Sequence, residues 1–379
     1  MRRVACEPRE GWRDKLAALG LDMAPATSPY WNEEAAYVFD ESEVETLHAA
    51  TVEIERLVLE AVGHVIDTGR CAELGIGPAL ADLAARSWNA DERSLYGRYD
   101  LRYDGGGPPK LIEYNADTPT ALFEASVVQW HWLRDTHPDA DQFNSIHEGL
   151  IEAWRERRAA GLGPLVHFAC VPEDDDDLIT TAYLLDTALQ AGLETRLLAV
   201  DEIGWDGRHF VDLDLAAITA LFKLYPWDWL AEERFFPRLA VAAPSRITVI
   251  EPAWRVVASS KGLLAILWEM FPGHPNLLPA ALGSAHIDGP VIVKPMLGRE
   301  GANMVIRDGT RTIATDGPYA DGPRLTQAFL PLPDFDGWHP VLGVWTIDGE
   351  PRGLAVREDR HLVTGRGARL LPHMMLPRR

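Results

Sequence analysis

The stretch that decides the reading is RYDLRYDGGGPPKLIEYNADTPT, residues 98–120. Two β-rich runs flank Asp104, three glycines and two prolines, the signature of a hairpin with a longer loop. Side chains two apart on a strand share a face, so Glu113 and Asn115 point together. With the loop centred between Gly106 and Gly107, Asp100 stands opposite Glu113 and Arg98 opposite Asn115. Two carboxylates and an amide oxygen on one face form a hard, oxygen-only donor set of the kind Mg²⁺ takes, and Arg98 beside them can neutralise a phosphoryl group. The alternative is a solvated face with a cross-strand acid and arginine. Directly opposed carboxylates count against it, because facing like charges destabilise a sheet unless a cation lies between them.

Outward from the hairpin the chain divides by texture. Residues 1–94 read as a mostly helical scaffold, with a helix from Asp40 carrying Val44, Leu47, Val52, Ile54, Leu57, Leu59 and Val62 near helical spacing. Residues 95–150 hold the hairpin and a following helix. In 151–258 an apolar run, an amphipathic helix and a second apolar run predict a right-handed βαβ crossover, a Rossmann-like lobe. No glycine-rich turn follows its first strand. Glu173, Asp174, Asp175, Asp176 and Asp177 stand there instead, read as a solvated helix N-terminus complementing the dipole and left out of the site. Residues 259–330 predict a lid built on a glycine hairpin, and 331–379 short strands returning to a central sheet. The expected class is α/β (α+β), all one unit.

The second chemical signal is VIVKPMLGREGANMVI, where Lys294 ends a strand and Gly298, Arg299 and Gly301 occupy the loop before the next. Glycine-freed amides can approach phosphate, and the two basic side chains supply charge. The loop lacks the GKT or GKS ending and following helix of a P-loop, and taken alone it is also compatible with a plain turn. Only five of the 36 basic residues are lysines. Lys261, at the head of a helix after Ser259 and Ser260, gains weight from that scarcity, because a compact point charge is not interchangeable with an arginine fork. Arg357, Glu358 and Asp359 end a predicted strand, where side chains can enter a cleft or make a surface turn.

Composition narrows the classes. The 379 residues carry 57 acidic and 36 basic side chains, a net charge of −21, which opposes nucleic acid and anionic membranes. Three cysteines, Cys6, Cys71 and Cys170, form neither a disulfide framework nor a zinc pattern, and Cys170 sits in an apolar run. There is no signal-length apolar stretch and no run long enough to span a membrane, so a cytoplasmic setting is expected. Histidine pairs and GxSxG are absent, which leaves covalent catalysis without support. Trp130, Trp132, Trp227 and Trp229 are read as core or interface.

The segments at 98–120, KLYPWDW, EPAW, SSKGLL, VIVKPMLGREG and AVREDRHLVTGRGARLLPH, in that order, resemble the glutathionylspermidine synthase family from the N-terminal helices to Arg369. The resemblance implies the synthetase part of that family, with an ATP-grasp fold and without the amidase domain of its bifunctional members. It implies ATP held between two lobes, the adenine near QAFLPLP with Gln327 and Leu330, and the glycine loop over the phosphates. It assigns Asp100, Glu113 and Asn115 to Mg²⁺, two ions being expected, and Arg98 to the acyl phosphate. Lys261, Lys294 and Arg299 become phosphate contacts, with Gly298 and Gly301 in the loop. Arg357 lies near the transferred phosphoryl group, and a further basic residue falls at or near Arg366. Thr118 and Thr120 stand where glutathione-binding members have two serines. The implied reaction joins a small carboxylate to a polyamine-like amine through an acyl phosphate, releasing ADP and phosphate. A non-catalytic ATP-binding regulatory protein and a small-molecule kinase are the alternatives.

Overall fold

The computed structural model describes residues 1–21, 30–243, 245–284 and 286–376. At its centre is a five-stranded antiparallel sheet ordered Arg369–Leu371, Glu350–Asp359, His339–Ile347, Tyr96–Arg102 and Lys110–Asn115. The hairpin register pairs Arg98 with Asn115 and Asp100 with Glu113, as the loop arithmetic requires. A bulge after Asp100 then moves Leu101 opposite Leu111. That extra residue re-aims the strand beside the two carboxylates, a usual consequence of a bulge.

The sheet is covered on both faces, which is why its strands are nearly continuous in apolar and aromatic residues. Tyr99 stacks on Tyr114 at 3.8 Å between centroids and donates its hydroxyl to Glu55 of the long helix Glu41–Asp67 at 2.5 Å. Tyr96 stacks on Trp345 in a second core cluster. The helix starts where the sequence predicts, with the Asp40 backbone amide donating to Glu43 at 2.9 Å in the manner of a capping box. Its buried stripe includes Leu47, Ile54, Leu57 and Val62. Spacing alone places Val52 in the same stripe, but the residue points to solvent at 45% exposure.

The crossover is present as Leu165–Cys170, helix Asp175–Gln190 and Glu194–Ala199, within a parallel four-stranded sheet ordered Thr248–Ile250, Ala220–Lys223, Leu165–Cys170 and Glu194–Ala199. A third, antiparallel sheet carries the glycine loop, in the order Ala280–Leu282, Arg324–Ala328, Val291–Pro295, Val305–Asp308 and Arg311–Ala314. Within the stretch expected to be mostly helical, Arg2–Ala5 and Ala35–Asp40 form strands and join His373–Leu376 in a small sheet. Residues 35–39, AAYVF, are buried on both faces and so show no alternation for a pattern search to find. Among the described residues no helix is long and apolar enough to cross a membrane.

Candidate active site

The three sheets meet around one cavity of about 560 Å³, and every site residue chosen from the sequence lines it. Buried anchors hold the hairpin in place. Glu251 accepts from the backbone amides of Leu95 and Tyr96 at 2.9 and 3.0 Å, while Arg255 donates to the carbonyls of Ala116 and Tyr96 at 2.7 and 2.9 Å. The loop after Asn115 is fixed by Asp117, which accepts from Lys223 Nζ and the Trp227 amide, both at 2.7 Å. Glu251 of EPAW and Lys223 and Trp227 of KLYPWDW are therefore supports for the hairpin and its loop.

Arg98 crosses the central sheet over Gly343 and grips Asp100 with Nε at 2.7 Å and Nη2 at 3.3 Å. Its Nη1 donates to the Thr120 carbonyl at 2.9 Å, tying the threonine loop to the hairpin. Arg357 Nη2 reaches Asp100 Oδ2 at 2.5 Å. Lys261 Nζ stands 3.1 Å from Glu113 and donates to the Gly298 carbonyl at 2.8 Å. Lys294 Nζ donates to the Ile112 carbonyl at 3.0 Å. Burial by itself would raise the Glu113 pKa, but Lys261 and Lys294 outweigh it and hold the carboxyl at about 2. Lys294 is pushed the other way by burial, down to about 8, against the pull of Glu113.

The opposed carboxylates thus already face cations, and these are protein side chains. The pairing of like charges does not by itself call for a metal. The donor chemistry still fits one: Asp100, Glu113 and Asn115 place carboxylate and amide oxygens on one face of the hairpin that lines the cavity. Among the described residues no group of three or more His, Cys, Asp or Glu side chains forms a metal cluster, which leaves this mixed set.

The glycine loop leans on the C-terminal loop. Gly301 adopts φ +68°, and a Cβ there would stand 2.6 Å from the Thr364 carbonyl oxygen, so backbone freedom and space both require glycine. Arg299 pairs with Asp228 and lies 5.0 Å from the Trp229 ring, so Trp229, 44% exposed, lines the cavity instead of packing inside. Trp130 is also exposed, whereas Trp132 and Trp227 are core residues. Arg366 lines the same cavity and pairs with Glu300, and Gln327 Nε2 donates to the Leu111 carbonyl at 3.4 Å.

The acidic run left out of the site on the sequence is the helix N-terminus expected of it, and it also borders the cavity. Asp174, Asp176 and Asp177 line this cavity. Asp174 does cap the helix, accepting from the amides of Asp176 and Asp177 at 3.1 and 3.3 Å, but the first turn opens onto the site. Burial, then the neighbouring acids, raise Asp176 to about 6 and Asp177 to about 7. Their remoteness from the hairpin in sequence hides the relationship; the crossover strand Leu165–Cys170 delivers them.

A family model described as glutathionylspermidine synthase preATP-grasp matches residues 3–376. A Haemophilus influenzae protein named "putative acid–amine ligase" is 35% identical over the full length of both chains. The chain is 27% identical to trypanothione synthetase of Crithidia fasciculata, with 81% of this chain covering 51% of that one. It is 28% identical to the bifunctional glutathionylspermidine synthetase/amidase of Escherichia coli, with 93% covering 61%. It thus spans about half to three fifths of these two longer proteins. A solved glutathione synthetase-like effector from Globodera pallida shares the fold, with TM-score 0.57, 10% identity, and coverage of 97% of this chain and 96% of that one.

Proposed function

The chain belongs to the glutathionylspermidine synthase family, and from that premise we propose that it is an ATP-dependent ligase that joins a small carboxylate to a cationic amine through an acyl phosphate. The observation that carries this reading is that one cavity gathers the basic side chains Lys261, Lys294, Arg299, Arg98 and Arg357 together with the carboxylates Asp174, Asp176 and Asp177. The basic groups suit the phosphates of ATP, and the three aspartates suit an ammonium substrate.

In this reading Lys261, Lys294 and Arg299 bind the ATP phosphates under the glycine loop, and Gln327 and Leu330 border the adenine. Asp100, Glu113 and Asn115 would hold Mg²⁺, two ions being proposed, which when bound would offset charge on the phosphate oxygens. Arg98 steadies the phosphoryl group as the substrate carboxylate attacks, and Arg357 neutralises the same oxygens. Thr118 and Thr120 border the acid, their loop held by Asp117 and Arg98. The aspartates receive the amine and orient it toward the acyl carbon.

The test is release of ADP and phosphate from Mg-ATP with glutathione and spermidine, and with pooled small acids and amines, products being read by mass. Phosphate release that requires both an acid and an amine, with an amide product, is expected. A stable phosphorylated product would identify a kinase, and Mg-ATP binding without turnover in any pool would favour the regulatory alternative.

A further inference from the structure

The crossover sheet ends in an open edge. Glu194–Ala199 is the last strand of the parallel four-stranded sheet, and among the described residues no strand pairs with its outer side. An edge strand presents a row of unpaired amides and carbonyls, which proteins usually blunt with lysine, proline or a bulge. ETRLLA contains neither residue, and its pairing with Leu165–Cys170 runs from end to end without a shift of register.

Exposed leucines gather at the same place. Ten large apolar side chains are well exposed among the described residues, and four of them, Leu189, Leu197, Leu213 and Leu215, lie on this strand or on segments bound to it. Apolar residues scattered singly are ordinary on a surface, whereas a cluster marks a site of association. Leu197 is on the strand itself. Leu189 stands at the end of helix Asp175–Gln190, in the turn where its carbonyl accepts from the Gly192 amide and the chain enters the strand.

Leu213 and Leu215, 71% and 77% exposed, sit on a loop that is firmly held. Asp212 Oδ1 accepts from the amides of Asp214 and Ala216 at 3.0 and 2.8 Å, and the Asp212 carbonyl accepts from the Leu215 amide at 3.0 Å. Asp212 Oδ2 is bound by His167 at 3.1 Å and by Arg196 of the edge strand. Leu215 adopts φ +62°, a left-handed conformation costly for a leucine, so backbone strain accompanies an apolar side chain held in solvent. Strain of this kind collects at binding surfaces.

We infer that this edge docks a second copy of the chain, the two strands pairing antiparallel about a two-fold axis at Thr195. The inference is independent of the ligase reading. A two-fold axis brings a patch onto itself, so the strand must complement itself. With Thr195 on the axis, Glu194 faces the partner's Arg196 and Arg196 faces the partner's Glu194, which makes two opposite-charge pairs. Moving the axis one residue either way would set Glu194 or Arg196 on itself. Arg196 has donors to spare: its bonds to Asp212 and Asp214 both use Nη1, and its Nε and Nη2 have no hydrogen bond among the described residues. On the other face of the strand, Leu197 meets the partner's Leu193, beside the turn that carries Leu189. The strand thus supplies its own complement, charge for charge and leucine for leucine, which selects a second copy over an unrelated chain.

The experiment is sedimentation equilibrium of the whole chain at about 0.15 M salt, where the net charge of −21 is screened. Wild type should give twice the 42.0 kDa of one chain. Leu197→Lys puts a charge on the edge in the way natural proteins block one, and should leave a monomer at concentrations where wild type is a dimer. Glu194→Arg sets arginine against arginine twice and should raise the dissociation constant about tenfold, a difference that shrinks in about 1 M salt. Thr195→Cys meets itself on the axis and should give a disulfide-linked dimer on oxidation, absent from wild type and suppressed by adding Leu197→Lys. Circular dichroism should be unchanged throughout, since Glu194 and Leu197 are exposed and Thr195 is half-buried. A wild type that stays at 42.0 kDa up to about 100 µM overturns the inference and leaves the edge to a different chain. A dimer that Leu197→Lys and Glu194→Arg do not weaken and Thr195→Cys does not link overturns it as well, because the contact then lies on another face.

Discussion

Gly343 lies directly under the Arg98 side chain: a Cβ at position 343 would stand 2.8 Å from Arg98 Cδ and 3.2 Å from Cγ. The glycine is a clearance for the arginine stem on its way to Asp100, at a φ that any residue can adopt. In Gly343→Ala the methyl group must displace Arg98 from Asp100 and from the Thr120 carbonyl. Turnover should fall tenfold or more while stability drops by about 1–3 kcal/mol, the usual cost of overpacking. Steady-state kinetics beside a urea melt checks both, and wild-type turnover would remove Arg98 from the reaction.

The two carboxylates of the hairpin should not respond alike. Asp100 is clamped by Arg98 and Arg357 and is 2% exposed, so Asp100→Asn leaves buried cations unpaired and should cost about 3–5 kcal/mol of stability along with activity. Glu113 has Lys261 and Lys294 on one side and the cavity on the other. Glu113→Gln is therefore the cleaner probe: it should fold, bind ATP and need at least about tenfold more Mg²⁺ for half-maximal rate. An unchanged Mg²⁺ requirement would take Glu113 out of the metal site.

Lys294 predicts a pH limit. Its folded-state pKa is about 8, below the ordinary 10.5, so it is charged below that value and neutral above it. If it binds phosphate, ATP affinity should hold up to about pH 8 and then fall by up to about tenfold per pH unit. The sign for stability is opposite: the unfolded chain keeps the proton between about 8 and 10.5, so this group favours the fold more as pH rises through that window. Lys294→Arg, which stays charged, should flatten the alkaline fall in ATP affinity measured by calorimetry.

The hairpin is legible in the amino-acid sequence because it is local: a period of two, a glycine turn and a single centre of symmetry fix which side chains share a face. The same holds for Lys294 and the glycine loop. What the sequence leaves unreadable arrives from elsewhere in the chain. Nothing in ALFEASVV signals that one oxygen of Glu124 will be buried without a partner. Asp228 meets Arg299 and Asp117 meets Lys223 only because separate sheets converge, and the arithmetic of one strand cannot see across sheets. The aspartates at 174–177 escape for a different reason. Helix capping accounts for them fully, and a sufficient local explanation conceals a second role on the cavity wall.

Those aspartates give the most discriminating test of the amine. Asp176 is raised to about 6 and Asp177 to about 7, by burial first and then by the neighbouring charge of Asp174. Raising pH from about 6 to 8 turns the wall fully anionic, so KM for a polyamine should fall across that range while KM for ATP stays level. Asp177→Asn should raise the amine KM about tenfold and remove part of its pH dependence, with kcat for hydroxylamine little changed, since a neutral nucleophile gains nothing from the anionic wall. A cation docking there also relieves the repulsion, so spermidine should raise the melting temperature of wild type more than that of Asp177→Asn. A monoamine should show a smaller effect than a polyamine if both aspartates are engaged, and equal effects would mean that only one of them meets the substrate.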